Sequence, residues 1–221
     1  MNQSIRAAAS VMGACAGLLG AAHGTFEVLQ GNVPTGGIGI SAIGAPCQRD
    51  AVWHACLPAM TLFPSFLTAG ALTILFSAAA LVWAMLLVRR KRGGPVLILL
   101  SILMLLAGGG IIPPLIGAIA GIGGTRINAP LTFWRTRLPG EVSRLMARLW
   151  PWPLAVFAGW ELGGWLLGTF FNRAMIDLSI VLLFVFDLLM PVLAVLTGLA
   201  RDASADRQPE PAPSAAKAHS R

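Results

Sequence analysis

Residues 95–122 read PVLILLSILMLLAGGGIIPPLIGAIAGI, and two features of this stretch decide the fold. It carries no charge, and it exceeds the roughly 20 apolar residues that a helix needs to cross a bilayer core. It is also interrupted, by Gly108, Gly109, Gly110, Pro113 and Pro114. Breaks of this kind are tolerated at membrane depth only where protein or a wet cavity satisfies the freed backbone groups. The stretch therefore predicts either a kinked span or a re-entrant hairpin held inside a bundle.

Outward from it, four more segments are apolar over bilayer length: roughly 4–28, 59–88, 150–171 and 178–200. Of the 221 residues, 56% are hydrophobic and only 11% charged, whereas a soluble domain is about a quarter charged. The expected fold is all-α, a polytopic transmembrane bundle of about five membrane helices, four plus the broken third. It occupies 1–200, with an extracytoplasmic loop at 29–58 and an Arg-rich loop at 123–149. The tail, 201–221, is too polar to bury a core and is expected to be disordered. Arg6 followed by an apolar run with Gly20 and Ala22 has the look of a signal peptide. A regular stripe of small residues along that run favours a retained helix.

Short loops rich in Arg and Lys stay in the cytoplasm. Arg89, Arg90, Lys91 and Arg92 place the second connection and the N-terminus inside, in the plasma membrane, and loop 29–58 outside. There a Cys47–Cys56 disulfide is able to survive. Arg126, Arg135, Arg137, Arg144 and Arg148 conflict with this if 95–122 spans; re-entry restores the rule. Length favours five helical segments, charge favours re-entry. The net charge of +7 is clustered between apolar runs, which fits lipid headgroups and not nucleic acid.

Within 123–149, Val142, Leu145, Met146, Leu149 and Trp150 recur at helical spacing opposite Arg144 and Arg148, the pattern of an interfacial amphipathic helix with the two arginines on headgroups. Trp134, Trp150 and Trp152 suit an aromatic belt. Small residues line one face of the first segment (Gly13, Gly17, Gly20, Gly24), the second (Gly70, Thr73, Ser77, Ala80, Ala84), the fourth (Gly164, Gly168) and the last (Pro191, Ala194, Gly198). Such seams let helix backbones approach closely in lipid.

The acids fall on these seams. Glu161 and Asp187 each lie about 13 residues from the centre of the last connection, roughly 20 Å deep at 1.5 Å per residue. Intramembrane acids are functional candidates by default, and this pair suits proton or cation passage; the competing reading is a hydrogen bond that glues two helices. His23 and Glu27 stand at i and i+4 near the outer end of the first helix, able to pass a proton, contact substrate or bond each other. Two ligands do not make a metal site, and neither metal nor cofactor is expected. The Gly108–Pro114 break resembles the discontinuous helices of transporters.

No nucleotide loop, zinc-protease or nucleophile-elbow motif is present, so an enzyme is not the favoured reading. The favoured one is a small transporter or proton/cation-linked channel using Glu161, Asp187, Glu27 and His23. The alternatives are a membrane subunit that docks a partner protein or a second copy through its glycine seams, and a membrane-embedded enzyme acting on lipid or quinone.

Overall fold

The computed structural model describes residues 1–41, 53 and 57–205, so Cys47, His54, Cys56 and the proposed disulfide lie outside the described residues. The chain is mostly helical. Among the described residues three helices are long and apolar enough to cross a membrane: α1 (Gln3–Gln30), α2 (Phe66–Leu87) and α9 (Ser179–Ala205). Two shorter apolar helices, α3 (Gly93–Ala107) and α4 (Ile112–Gly124), form the broken segment. Helix α7 (Trp152–Phe170) has 19 residues, but Glu161 and its Gly and Trp content dilute it, and it is not among the three. Short helices α5 (Thr132–Arg137), α6 (Gly140–Leu149) and α8 (Asn172–Asp177) fill connections. Strands β1 (Gly39–Ser41) and β2 (Pro58–Met60) pair antiparallel in the loop after α1.

Helix α1 is the centre of the bundle, and its glycine seam is the reason. A Cβ on Gly13 would meet the Ala84 side chain, one on Gly17 the Ser77 carbonyl and Leu81, and one on Gly24 the Gly70 carbonyl at 2.8 Å. Gly20 is closed over by Ser77 and Met104. The glycines thus let α2 run antiparallel to α1 at backbone contact, while α3 lies in the adjoining groove. The second seam answers the first: Gly70, Thr73, Ser77, Ala80 and Ala84 are all buried. Both seams are consumed inside the chain, which removes them as a surface for docking a partner.

The broken segment is a helical hairpin. At its open end Gly94 lies against the backbone of Gly121, Gly124 and Thr125, and Ser101 packs on Gly117 further along, so α3 and α4 are antiparallel. Pro113 and Pro114 sit in the first turn of α4, where a missing N–H costs nothing and the fixed φ favours helix. They begin a helix where a single long span would have them interrupt one. The hairpin returns to the end it left: Asn128 Nδ2 donates to the Arg89 carbonyl at 2.9 Å, and Asn2 donates to the carbonyls of Arg126 and Ile127. The arginines on both flanks of the hairpin therefore share one end of the bundle, which resolves the charge conflict of a single span.

That same end receives the C-terminal helix. Both carboxylate oxygens of Asp202 accept from α1 backbone amides, Ser4 N at 3.1 Å and Ile5 N at 3.0 Å, which satisfies donors that a helix N-terminus leaves open. α9 accordingly continues through Ala205, into the stretch expected to be disordered, with Asp202 and Ala203 buried. Helix α6 divides its surface three ways. Ser143 is buried against α9, Val142, Leu145 and Leu149 stay exposed as an apolar stripe, and Arg144 and Arg148 face away from both. Trp150 does not join an aromatic belt; it is buried beneath Gly198, whereas Trp152 is exposed.

The hairpin is tested by thiol labelling in a background lacking Cys15, Cys47 and Cys56. Cysteines replacing Lys91 and Asn128 should react with an impermeant reagent from the same side of the membrane, and one replacing Asn32 from the other. Labelling of positions 91 and 128 from opposite sides would mean that residues 93–124 cross once.

Candidate functional site

Two features that are remote in sequence meet at the tip of the hairpin. His23 and Glu27 stand one helical turn apart on α1, and both are buried, Glu27 completely. Over them lies the turn Gly108–Gly110. Gly108 (φ 131°) and Gly110 (φ 78°) hold backbone conformations that side-chain-bearing residues rarely adopt. The amides of Gly108 and Gly109 both reach the Met104 carbonyl, and Gly110 N donates to the Gly108 carbonyl at 2.7 Å. A Cβ on Gly108 would overlap the Glu27 carboxyl, and one on Gly110 would come within 2.6 Å of His23 Cε1. The tip has no side chains because the His23 and Glu27 side chains occupy that space.

A strap from the loop before α2 closes the outer side. Thr61, itself buried, donates its hydroxyl to the Ala107 carbonyl at 2.8 Å and its amide to the Ile38 carbonyl. Leu62 N donates to the Leu106 carbonyl at 3.0 Å. Two carbonyls that the end of α3 would leave open are thereby satisfied, and the tip is tied to the loop that carries β1 and β2.

The polar atoms beneath the tip are not satisfied. His23 Nδ1, both Glu27 oxygens and Thr73 Oγ1 are buried without a hydrogen-bond partner among the described residues. The Thr73 hydroxyl of α2 stands beside the Glu27 carboxyl, close enough for the two to interact. The mutual His23–Glu27 hydrogen bond that their spacing allowed is therefore not made. Buried polar groups are nearly always paired, and an orphaned one costs about 1–3 kcal/mol; here four such atoms share one location.

Glu161 and Asp187, predicted to be level, do come together. Their carboxyls face each other closely enough to interact, while Glu161 Oε1 is itself buried without a hydrogen-bond partner among the described residues. Trp160 Nε1 donates to Asp187 Oδ1 at 2.9 Å, and the Trp160 ring stacks on Phe186 at 4.3 Å. Asp187 lies in a π-helical stretch, Leu183–Leu189, whose wider turn interrupts α9 at that level. Yet the pair is only half-buried, and its flanks, Leu162, Leu183 and Phe184, are exposed. It is less enclosed than the Glu27 site.

The two arginines of α6 differ from each other. Arg144 pairs with Glu141 on α6, while Arg148 follows one turn later on the same exposed side. No group of three or more His, Cys, Asp or Glu side chains able to hold a metal ion gathers among the described residues. Comparison with protein-family models, with curated proteins and with solved structures gave no match.

Thr61 carried no signal in the sequence, since its partner is 46 residues away and its neighbours show no periodicity. Thr73 was legible as a member of a seam but not as a polar neighbour of Glu27. The cradle predicts that Gly110→Ala will be severely destabilising. A left-handed alanine costs about 1–2 kcal/mol and overpacking about 1–3 more, so the melting temperature should fall sharply. Gly140→Ala, where a Cβ meets nothing within 4 Å, should leave it within about 2 °C of wild type. An unchanged melting temperature for Gly110→Ala would argue against the tip packing.

Proposed function

We propose that this protein is a small multi-pass membrane transporter or channel that moves protons or small cations through a carboxyl site at Glu27. The observation that carries the reading is the complete burial of the Glu27 carboxyl, with both oxygens unpartnered, beside the buried His23 and beneath a broken helix. A carboxylate removed from water without a partner is costly enough that it must take up a proton or a counter-cation. A group that has to exchange such a ligand whenever its surroundings open and close is what ion-coupled transport requires. Broken helices supply the matching mobile part, because backbone groups at the break contact ligand or protein by turns.

The Glu161–Asp187 pair extends the same chemistry toward the middle of the bundle, where a shared proton can be passed on. Arginines at one end set the orientation, with the N-terminus and the hairpin's open end cytoplasmic. Arg144 and Arg148 then lie at headgroup level, beside an apolar stripe on α6 that inserts into lipid. The exposed apolar faces of α7 and of the first half of α9 are suited to lipid contact.

Reconstituted in vesicles, wild-type protein should dissipate an imposed proton or Na⁺ gradient, and Glu27→Gln should slow this at least about tenfold, the factor that corresponds to ~1.4 kcal/mol. Glu161→Gln and Asp187→Asn should slow it less. Flux in Glu27→Gln equal to that of wild type would remove the reading.

A further inference from the structure

We propose that the space under the hairpin tip is a binding site for one small alkali cation of the Na⁺ class, with Glu27 and Thr73 among its ligands; this rests on the reading of Glu27 as a transport carboxyl and names what occupies it. Size comes first. The tip packs so closely that a single added carbon on Gly108 or Gly110 would strike Glu27 or His23, so an occupant held beside these side chains is no larger than a single ion.

Charge comes second. Glu27 contributes a single negative charge, and the group beside it on α2 is the Thr73 hydroxyl, not a second acid. A monovalent cation would leave the enclosed site neutral, whereas a divalent one would leave an uncompensated charge in a dry environment. Donor chemistry comes third. The unpartnered atoms include both carboxylate oxygens of Glu27 and the Thr73 hydroxyl, hard donors suited to hard cations and not to Cu or Zn, which favour sulfur and several imidazoles. His23, on the other side of the cradle, has its Nδ1 unpartnered as well. The Thr61–Leu62 strap ties the tip above these atoms to the loop before α2.

The experiment is thermal unfolding of the purified full chain in detergent, in NaCl against choline chloride at equal ionic strength. Na⁺ should raise the melting temperature of wild type by about 5 °C at about a hundred times Kd. Glu27→Gln should abolish the shift, and Thr73→Val, which keeps the shape and removes the oxygen, should reduce it by more than half. Equal melting in the two salts for wild type, or a full shift in both variants, overturns the cation site. Loss of gradient dissipation in Glu27→Gln combined with no Na⁺ effect would overturn this inference while leaving the proton-linked reading in place. A Na⁺ shift with unimpaired flux in Glu27→Gln would do the reverse.

Discussion

Backbone contact along α1 is the constraint on which the other elements depend. Four glycines on one face remove the side chains that would keep a neighbouring helix about 8–10 Å away, and α2 takes that approach with a face of equally small residues. In lipid there is no hydrophobic force between helices, so close van der Waals packing of this kind is a main source of association. With α1 and α2 locked, the groove beside them receives α3 through Leu97 and Met104. α4 follows because Gly94, Gly121 and Gly124 let the hairpin close. The C-terminal helix completes the arrangement by placing a carboxylate on the first amides of α1.

The same packing builds the site. A three-glycine turn can lie flat on α1 only where α1 offers something narrow to cover, and what it covers is the polar turn His23–Glu27. The glycines of the tip are therefore tied to the acid beneath them, and the strap at Thr61 and Leu62 pins the tip from outside. Structure and chemistry are coupled at this point: loosening the strap or the tip would expose a carboxyl that the folded chain otherwise keeps from water. The Glu161–Asp187 pair is built in another way, by a widened turn in α9 that brings Asp187 to Glu161 and to the Trp160 indole.

Much of this was legible in the residues. Hydropathy located the apolar segments to within a few positions, apart from the start of α2, because residues 59–65 form a strand and a strap before Phe66. The small-residue stripes named the buried faces of α1 and α2, since a 100° helical step places i, i+3, i+4 and i+7 on one side. Glu161 and Asp187 were expected to be level because consecutive antiparallel helices of similar length fix the depth of each residue, and the two carboxyls do lie beside each other. Less was legible where a contact depends on three dimensions. Trp150 looked like a belt residue by its position beside an amphipathic helix, but the edge of α6 that carries it turns toward α9.

What the sequence determined alone was the solvent each segment prefers and the face each helix buries, because both follow from local composition and the helical repeat. It also determined that residues 108–114 could not continue a straight helix, since glycine and proline act on their own backbone. The tertiary structure decided that the break is a hairpin and not a kink, because that choice rests on Gly94 meeting Gly121 and Gly124 across a turn. It decided too that the break and the His23–Glu27 turn are one site. Their pairing spans more than 80 residues and depends on how closely two backbones approach, a quantity that packing sets and no local pattern encodes.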